Sequence, residues 1–515
     1  MFKGSPKQLS AYVKLKHSRS QHQDSKMNTK FSILHISDLH RIKTENIECL
    51  MSSFEVEKSR FAEKGLSPVR LIVVSGDIVN GSNIEDAFAA QQDIQKQYAV
   101  ALQFLNALCD LFIGNKPVDR LRVIIVPGNH DMSRYMSKLS MNEISHDDNG
   151  IDTLVGKLWT DNTDVRWSWE SLHFYEIKDK ENYNKRFNDF IDFYNKFYQG
   201  LRTYPSDPDR QSDLIDIPEL NLSLACFNSC YRLDHLRLSG YISPRSLSQL
   251  TRPLLKAKEH GRLVFGVWHH HTHGLPNENN YLDYSILENM VQNGITIALH
   301  GHQHISGIVN EYKDVFSDAK LSLISAGTLY GNSNDLPVGK MRQYNLLTVD
   351  MKDDMSDITL YSREDSTALN EMPAWDAGVI GRSRKHSYTM HVKMPAVNHL
   401  SEETDLLDRI NQINLLVERS GDVQKGIELL EQMDIKNLLV RKFLLDYLQR
   451  ADNHQKICEV FINPQTIDEA VAVIEGCVKL KDKTILTTVL DSDFVKSSND
   501  ASLQAIIMDA KFRVN

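Results

Sequence analysis

From residue 31 to about residue 350, short apolar runs rich in β-branched residues alternate with longer stretches of helical periodicity. The runs occupy residues 31–36, 69–75, 121–126, 222–227, 263–268, 295–299, 321–325 and 344–349. Runs this short and this continuously apolar predict strands buried on both faces, and the helical stretches between them predict a layered α/β domain over residues 30–362. The rhythm breaks into an insertion at about 133–218, where Phe187, Phe190, Tyr194 and Phe197 fall at helical spacing. That spacing predicts an amphipathic helix packing its own aromatic face, in an insertion expected to cap the site. Beyond residue 362 no further strand is predicted. Residues 363–400 read as a linker, and residues 401–515 as an all-α C-terminal domain. Leu406, Ile410, Ile413 and Val417 mark its first helical face, and Ile427, Leu430, Leu438, Leu439 and Phe443 follow a Gly421-Asp422 break.

Composition narrows the class without naming a function. At 515 residues the chain exceeds one core of ordinary size, so two or three domains are expected. No apolar run approaches the roughly 18 residues of a membrane span, and no membrane partner is expected. Residues 1–29 are polar and basic without the apolar segment of a secretory signal, which predicts a flexible N-terminal extension. Six cysteines (Cys49, Cys109, Cys226, Cys230, Cys458, Cys477) lack the spacing of a zinc knuckle or a disulfide scaffold, and a reducing cytoplasm is expected. A net charge of −9 argues against a generally basic surface coating nucleic acid and confines any such site to a local groove.

The turns after the apolar runs carry the chemistry. Ser37-Asp38-Leu39-His40 follows the first run, and in an extended or turn geometry its one-residue spacing puts a carboxylate and an imidazole on one side. Ser75-Gly76-Asp77 follows the second, where glycine permits a sharp turn and a carboxylate can bridge two cations. Pro127-Gly128-Asn129-His130-Asp131 follows the third, with an amide ligand, an imidazole that can meet phosphate and a carboxylate to orient it. Later runs end in His269-His270-His271-Thr272-His273 and His300-Gly301-His302-Gln303-His304. One histidine at a strand end is more often a core residue than a ligand. Five ligand-rich clusters, each at the end of its own strand, reverse that weighting.

In order and spacing these five clusters resemble the calcineurin-like metallophosphoesterase superfamily over about residues 30–350. The resemblance implies a four-layer α/β/β/α sandwich, here with a helical insertion and the all-α C-terminal domain. It implies two divalent cations (Mn, Fe or Zn), one held by Asp38, His40, Asp77 and His304, the other by Asp77, Asn129, His302 and a histidine near 269. His269 is the first residue after its strand, as that family ligand usually is, and His270 competes with it. His130 would act as an acid or transition-state donor, with Asp131 holding its ring. The implied reaction is hydrolysis of a phosphoester by metal-activated hydroxide.

The segment Pro127 to Arg134, together with Ala326-Gly327-Thr328-Leu329-Tyr330, looks like the bacterial phosphodiesterase-type branch, so a phosphodiesterase is the first expectation. A nuclease of the double-strand-break-repair type acting on nucleic acid or nucleotides comes next, then a phosphomonoesterase. A non-enzymatic scaffold is disfavoured because every ligand position holds a competent residue. The C-terminal helices are expected to recruit a protein partner or drive self-association, with plain packing nearly as good a reading.

Overall fold

The computed structural model describes residues 29–41, 47–145, 150–160, 163–274, 280–313, 320–329, 336, 338–352, 354–367, 372–395 and 399–514. The expected N-terminal extension falls outside them up to residue 28. The chain divides into two compact units, Met1–Val397 and Asn398–Asn515.

All eight apolar runs form strands. In the first unit, β1 (Thr29–Ile36), β2 (Val69–Ser75) and β3 (Val123–Val126) precede the insertion. The insertion carries β4 (Met141–Glu143), β5 (Val165–Ser168) and β6 (His173–Ile177). After it come β7 (Ser212–Ile217), β8 (Leu222–Phe227), β9 (Leu263–Val267), β10 (Ile297–His300), β11 (Gly307–Lys313), β12 (Lys320–Ser325), β13 (Gln343–Met351), β14 (Met355–Asp365), β15 (Trp375–Ala377) and β16 (Ser387–Lys393). One large sheet runs β15-β14-β13-β1-β2-β3, with β16 also on β14, and a second runs β11-β12-β10-β9-β8-β7. β1, β2 and β3 are mutually parallel, as are β8, β9, β10 and β12.

The strand period of two decides what each face buries. Phe31, Ile33, Leu71, Val73, Ile124 and Val126 share one core with Leu222, Leu224, Phe265, Val267, Ile297 and Leu299, so the two sheets pack face to face. Leu34, Ile36, Ile72, Val74, Val123 and Ile125 point the other way, under the helices Ile47–Glu63, Ala87–Phe112 and Asn188–Tyr198. The outer face of the second sheet, through Phe227, Val264, Ala298 and Leu323, lies under Pro244–Glu259 and Ser285–Gln292. The result is the four-layer α/β/β/α order, mixed α/β with several sheets.

Two expectations need correction. Residues 363–400 are not a bare linker: β14 ends there and β15 and β16 follow, both pairing with β14. β16 buries only Met390 and Val392 along its length, the profile of an edge strand, so its apolar content is too low to signal a strand. The insertion is also less helical than expected, since it holds the sheet β4-β6-β5. Its aromatic helix, Asn188–Tyr198, does not cap the site: Phe190, Phe193, Tyr194 and Phe197 are buried in the outer core, with Phe193 stacked on Tyr98.

The second unit is all-helical among its described residues, from His399–Ser420 to Ala501–Val514. Ile410, Val417, Ile427 and Leu430 are buried in its core, and Leu406, Ile413, Leu439 and Phe443 pack against it, whereas Leu438 is exposed. A buried ion pair, Arg441 Nε to Glu469 Oε1 at 2.7 Å, ties the helices Leu438–Arg450 and Ile467–Leu480. Among the described residues no helix is long and apolar enough to cross a membrane.

Candidate metal centre

Because β1, β2 and β3 are parallel, the turns that leave them open on the same edge of the first sheet. The turns leaving β9 and β10 open on the same edge of the second. Packing the sheets face to face gathers all five clusters at one place, each supplied by a rigid strand end.

The turns are tied together by long-range backbone hydrogen bonds: Asp38 N–H donates to Gly76 O at 3.1 Å, His40 N–H to Asp77 O at 3.1 Å, and Gly301 N–H to His269 O at 3.1 Å. Asp38, His40, Asp77, His302 and His304 all have positive φ, at 51°, 43°, 52°, 72° and 56°. That region costs a non-glycine residue energy and persists only where the surroundings impose it, as at functional sites. Asp38 and His40 therefore converge through left-handed turn backbone, the turn and not the extended form of the geometry expected from their spacing. Close approach requires glycine at Gly128 and Gly301 among other positions: a Cβ at Gly128 would overlap Asp77, and one at Gly301 would overlap Ser37 and the Asp38 carboxylate.

The side chains form two sets. His304 Nε2 lies 3.2 Å from Asp38 Oδ1 and 3.3 Å from His40 Nε2. His269 Nε2 and His302 Nδ1 each lie 2.9 Å from Asn129 Oδ1, and His269 Nε2 is 3.3 Å from Asp77 Oδ2. Metal-competent donors cluster as Asp38, His40 and His304, as Asp38, Asp77 and His269, and as His40, Asp77 and His130. His269 Nδ1 donates to Ser75 O at 2.8 Å, which leaves Nε2 as the nitrogen facing Asp77 and Asn129. His270, the competing candidate, has its Nδ1 2.8 Å from Ser229 Oγ and packs its ring 4.7 Å from that of His302.

Electrostatics follow the burial. Burial pushes His40 and His302 down to about 4, so both present neutral nitrogens at pH 7. Burial opposes ionisation of Asp38 and Asp77, yet His304 at Asp38 and His269 at Asp77 hold both carboxyls below the usual range. Burial opposes charge on His269 as well, but the Asp77 carboxylate outweighs it and raises the ring to about 9.

His130 stands at the mouth with its side chain about one-third exposed, Nε2 at 3.9 Å from Asp77 Oδ2. The expectation that Asp131 orients this ring is not met. His130 Nδ1 donates to the Asn80 carbonyl at 2.8 Å. The Asp131 carboxylate is buried beneath the turn, accepting from Gly128 N–H at 2.8 Å, Ile78 N–H at 3.1 Å and Tyr98 OH at 3.1 Å. Burial, reinforced by Asp77, pushes Asp131 up to about 7. Asn80 and Tyr98 escaped the sequence reading because one acts through its backbone and the other sits on a helix with no local signal. Thr328 Oγ1 donates to Asp38 O at 2.8 Å, which brings the 326–330 turn to the centre, although Tyr330 lies outside the described residues.

The calcineurin-like phosphoesterase family profile matches residues 31–306, more than half of the 515 residues. The chain belongs to this family. No curated protein matches it significantly. Among solved structures this calcineurin-like phosphoesterase is similar to GAP50, the anchor in the inner membrane complex of Plasmodium, at 11% identity over 72% of this chain and 90% of that one, TM-score 0.31. It is similar to a Vps29 single mutant from Entamoeba histolytica at 9% identity over 70% and 99%, TM-score 0.23. It is also similar to a metallophosphoesterase from Sphaerobacter thermophilus at 13% identity over 61% and 82%, TM-score 0.21.

The residues present fit the divalent cations that the family implies. Imidazole nitrogens, carboxylate oxygens and an amide oxygen face one another at 2.9–3.3 Å, a donor set of the kind that holds a divalent cation.

Proposed function

We propose that the chain hydrolyses phosphodiester bonds at a two-cation centre. One cation would be held by Asp38, His40, Asp77 and His304, the other by Asp77, Asn129, His269 and His302. The observation that carries this reading is the position of Asp77, whose carboxylate lies within ligand distance of donors from both sets. Bound there, two divalent cations supply charge neutralisation at the phosphate oxygens and a water of lowered pKa.

The chain's own residues do the rest. Asp77 Oδ1 accepts from His130 N–H at 2.8 Å, which fixes the carboxylate and aims Oδ2 at the centre. His130 Nδ1 is bound to Asn80 O whichever charge the ring carries, so Nε2 is the atom that gains and loses the proton. Its place at the open side suits donation to the leaving oxygen or to a phosphate oxygen in the transition state. The diester preference rests on the likeness of Pro127 to Arg134 and of the 326–330 turn to the phosphodiesterase-type branch.

The test is a panel run with the Mn²⁺-loaded protein. Bis-p-nitrophenyl phosphate should be cleaved with a higher kcat/KM than p-nitrophenyl phosphate. The reverse order would make the chain a monoesterase, and no turnover of either with Mn²⁺, Fe²⁺ or Zn²⁺ would remove the diesterase reading.

A further inference from the structure

The helix Arg134–Leu139 follows the Pro127-to-Asp131 turn directly, with Ser133 as its N-cap. Arg134 and Lys138 are one helical turn apart and share a face. Both are exposed, and among the described residues neither forms an ion pair. Arg134 Nη1 donates to Asn83 Oδ1 at 3.0 Å, three residues from the Asn80 carbonyl that holds His130. The guanidinium is thus tethered to the same turn that positions the His130 ring.

His235 joins them from a separate loop. Its backbone N–H donates to Ser137 Oγ at 3.2 Å, and its Nδ1 lies 2.7 Å from the same hydroxyl. In the tautomer whose Nδ1 accepts from that hydroxyl, Nε2 carries the hydrogen. Burial lowers this ring to about 4, against the pull of Asp234 and with Lys138, Arg134 and Arg166 adding to the fall. His235 is therefore a neutral imidazole close enough to Lys138 and Arg134 to feel both charges. Asp234, the acid beside it, is fully engaged, accepting from Arg166 Nε at 2.6 Å, Tyr183 OH at 2.9 Å and the Leu236 and Arg237 N–H groups.

We propose that Arg134, Lys138 and His235 form a contact strip for a second phosphate of the substrate, which makes that substrate a phosphodiester chain of the oligonucleotide type. The inference rests on the diesterase reading and narrows it. Two cationic side chains on one helix face, with a neutral imidazole docked on the same helix at Ser137, make a donor set for phosphate. On a protein of net charge −9 a polyanion must find its attraction locally. An isolated or cyclic mononucleotide diester has no second phosphate to use the strip.

The p-nitrophenyl ester of thymidine 5′-phosphate, with and without a 3′-phosphate, isolates the effect, because the two substrates differ only in the second phosphate. The wild-type chain should favour the doubly phosphorylated ester by about tenfold or more in kcat/KM, a preference that shrinks as salt rises from roughly 50 to 200 mM. In Arg134→Gln/Lys138→Gln the ratio should fall toward one. Lys138→Gln alone, which breaks no ion pair among the described residues, should give a partial fall and guards against misfolding of the double variant. A wild-type ratio near one, or variants that lose both esters in proportion, would overturn the strip. Calorimetric binding of thymidine 3′,5′-bisphosphate against thymidine 5′-phosphate separates the two readings. A preference of about tenfold, lost in the variants, sustains the strip even if neither ester is cut. Cleavage of the plain ester without either preference leaves the diesterase and removes the strip.

Discussion

His130 and Asp131 are adjacent in sequence and do different work. Asp131 closes the turn from beneath by gathering the Gly128, Ile78 and Tyr98 donors, whereas His130 faces the open side on a tether from Asn80. His130→Ala removes no donor from the proposed ligand sets. It should lower kcat by about a hundredfold or more with metal content near wild type, the scale of a lost positioned acid or transition-state donor. Asp131→Ala should instead cost roughly 3 kcal/mol of stability, since it leaves buried donors unpaired, measurable by urea unfolding. The sequence showed both residues as candidates but not their division of labour, because the partner that orients His130 is a backbone carbonyl. It also favoured His269 over His270 only through the family resemblance, as the first residue after its strand. Ser229 and Ser75, which take opposite sides of that choice, come from strand ends remote in sequence.

The raised His269 ring gives a pH dependence with a definite sign. A histidine raised to about 9 in the metal-free fold contributes stability that is fully present below about 6.5 and is lost as pH rises through 9. A cation binding to Nε2 must displace that proton. Metal loading at pH 7 should therefore release close to one proton from His269, and Mn²⁺ affinity should rise from pH 6 to 9. Calorimetry in buffers of different ionisation enthalpy measures the release. Proton uptake, or an affinity flat with pH, would exclude His269 as a ligand.

At the scale of elements, the eight strands that bear or flank the centre were legible because they are buried on both faces and so read as continuous apolar runs. β14 alternates buried with half-buried positions, and β16 is an edge strand, so neither carries that signal. The clusters were legible as residue types at strand ends. Their left-handed backbone was not, because hydrogen bonds such as Asp38 N–H to Gly76 O impose it between segments far apart in sequence. Gly301 shows what that crossing demands. Gly301→Ala would push a methyl into Ser37 and the Asp38 carboxylate, so it should weaken metal binding by about tenfold or more while costing roughly 1–3 kcal/mol in stability. Equal metal affinity in variant and wild type would show that the β10 turn does not press on the β1 turn in the loaded protein.

On the scale of the whole molecule, residues 31–306 carry the family, and the helical unit from Asn398 onward has its own core. That unit was legible as helices from its apolar periodicity, while nothing in its pattern named a task. In the proposed centre one shared carboxylate, that of Asp77, draws two sets of ligands together. The most direct test is elemental analysis of the full chain after reconstitution with Mn²⁺, wild type beside Asp77→Ala. Two ions per chain, falling below one when Asp77 is removed, is the predicted result. A single ion per chain, retained in Asp77→Ala, would contradict it.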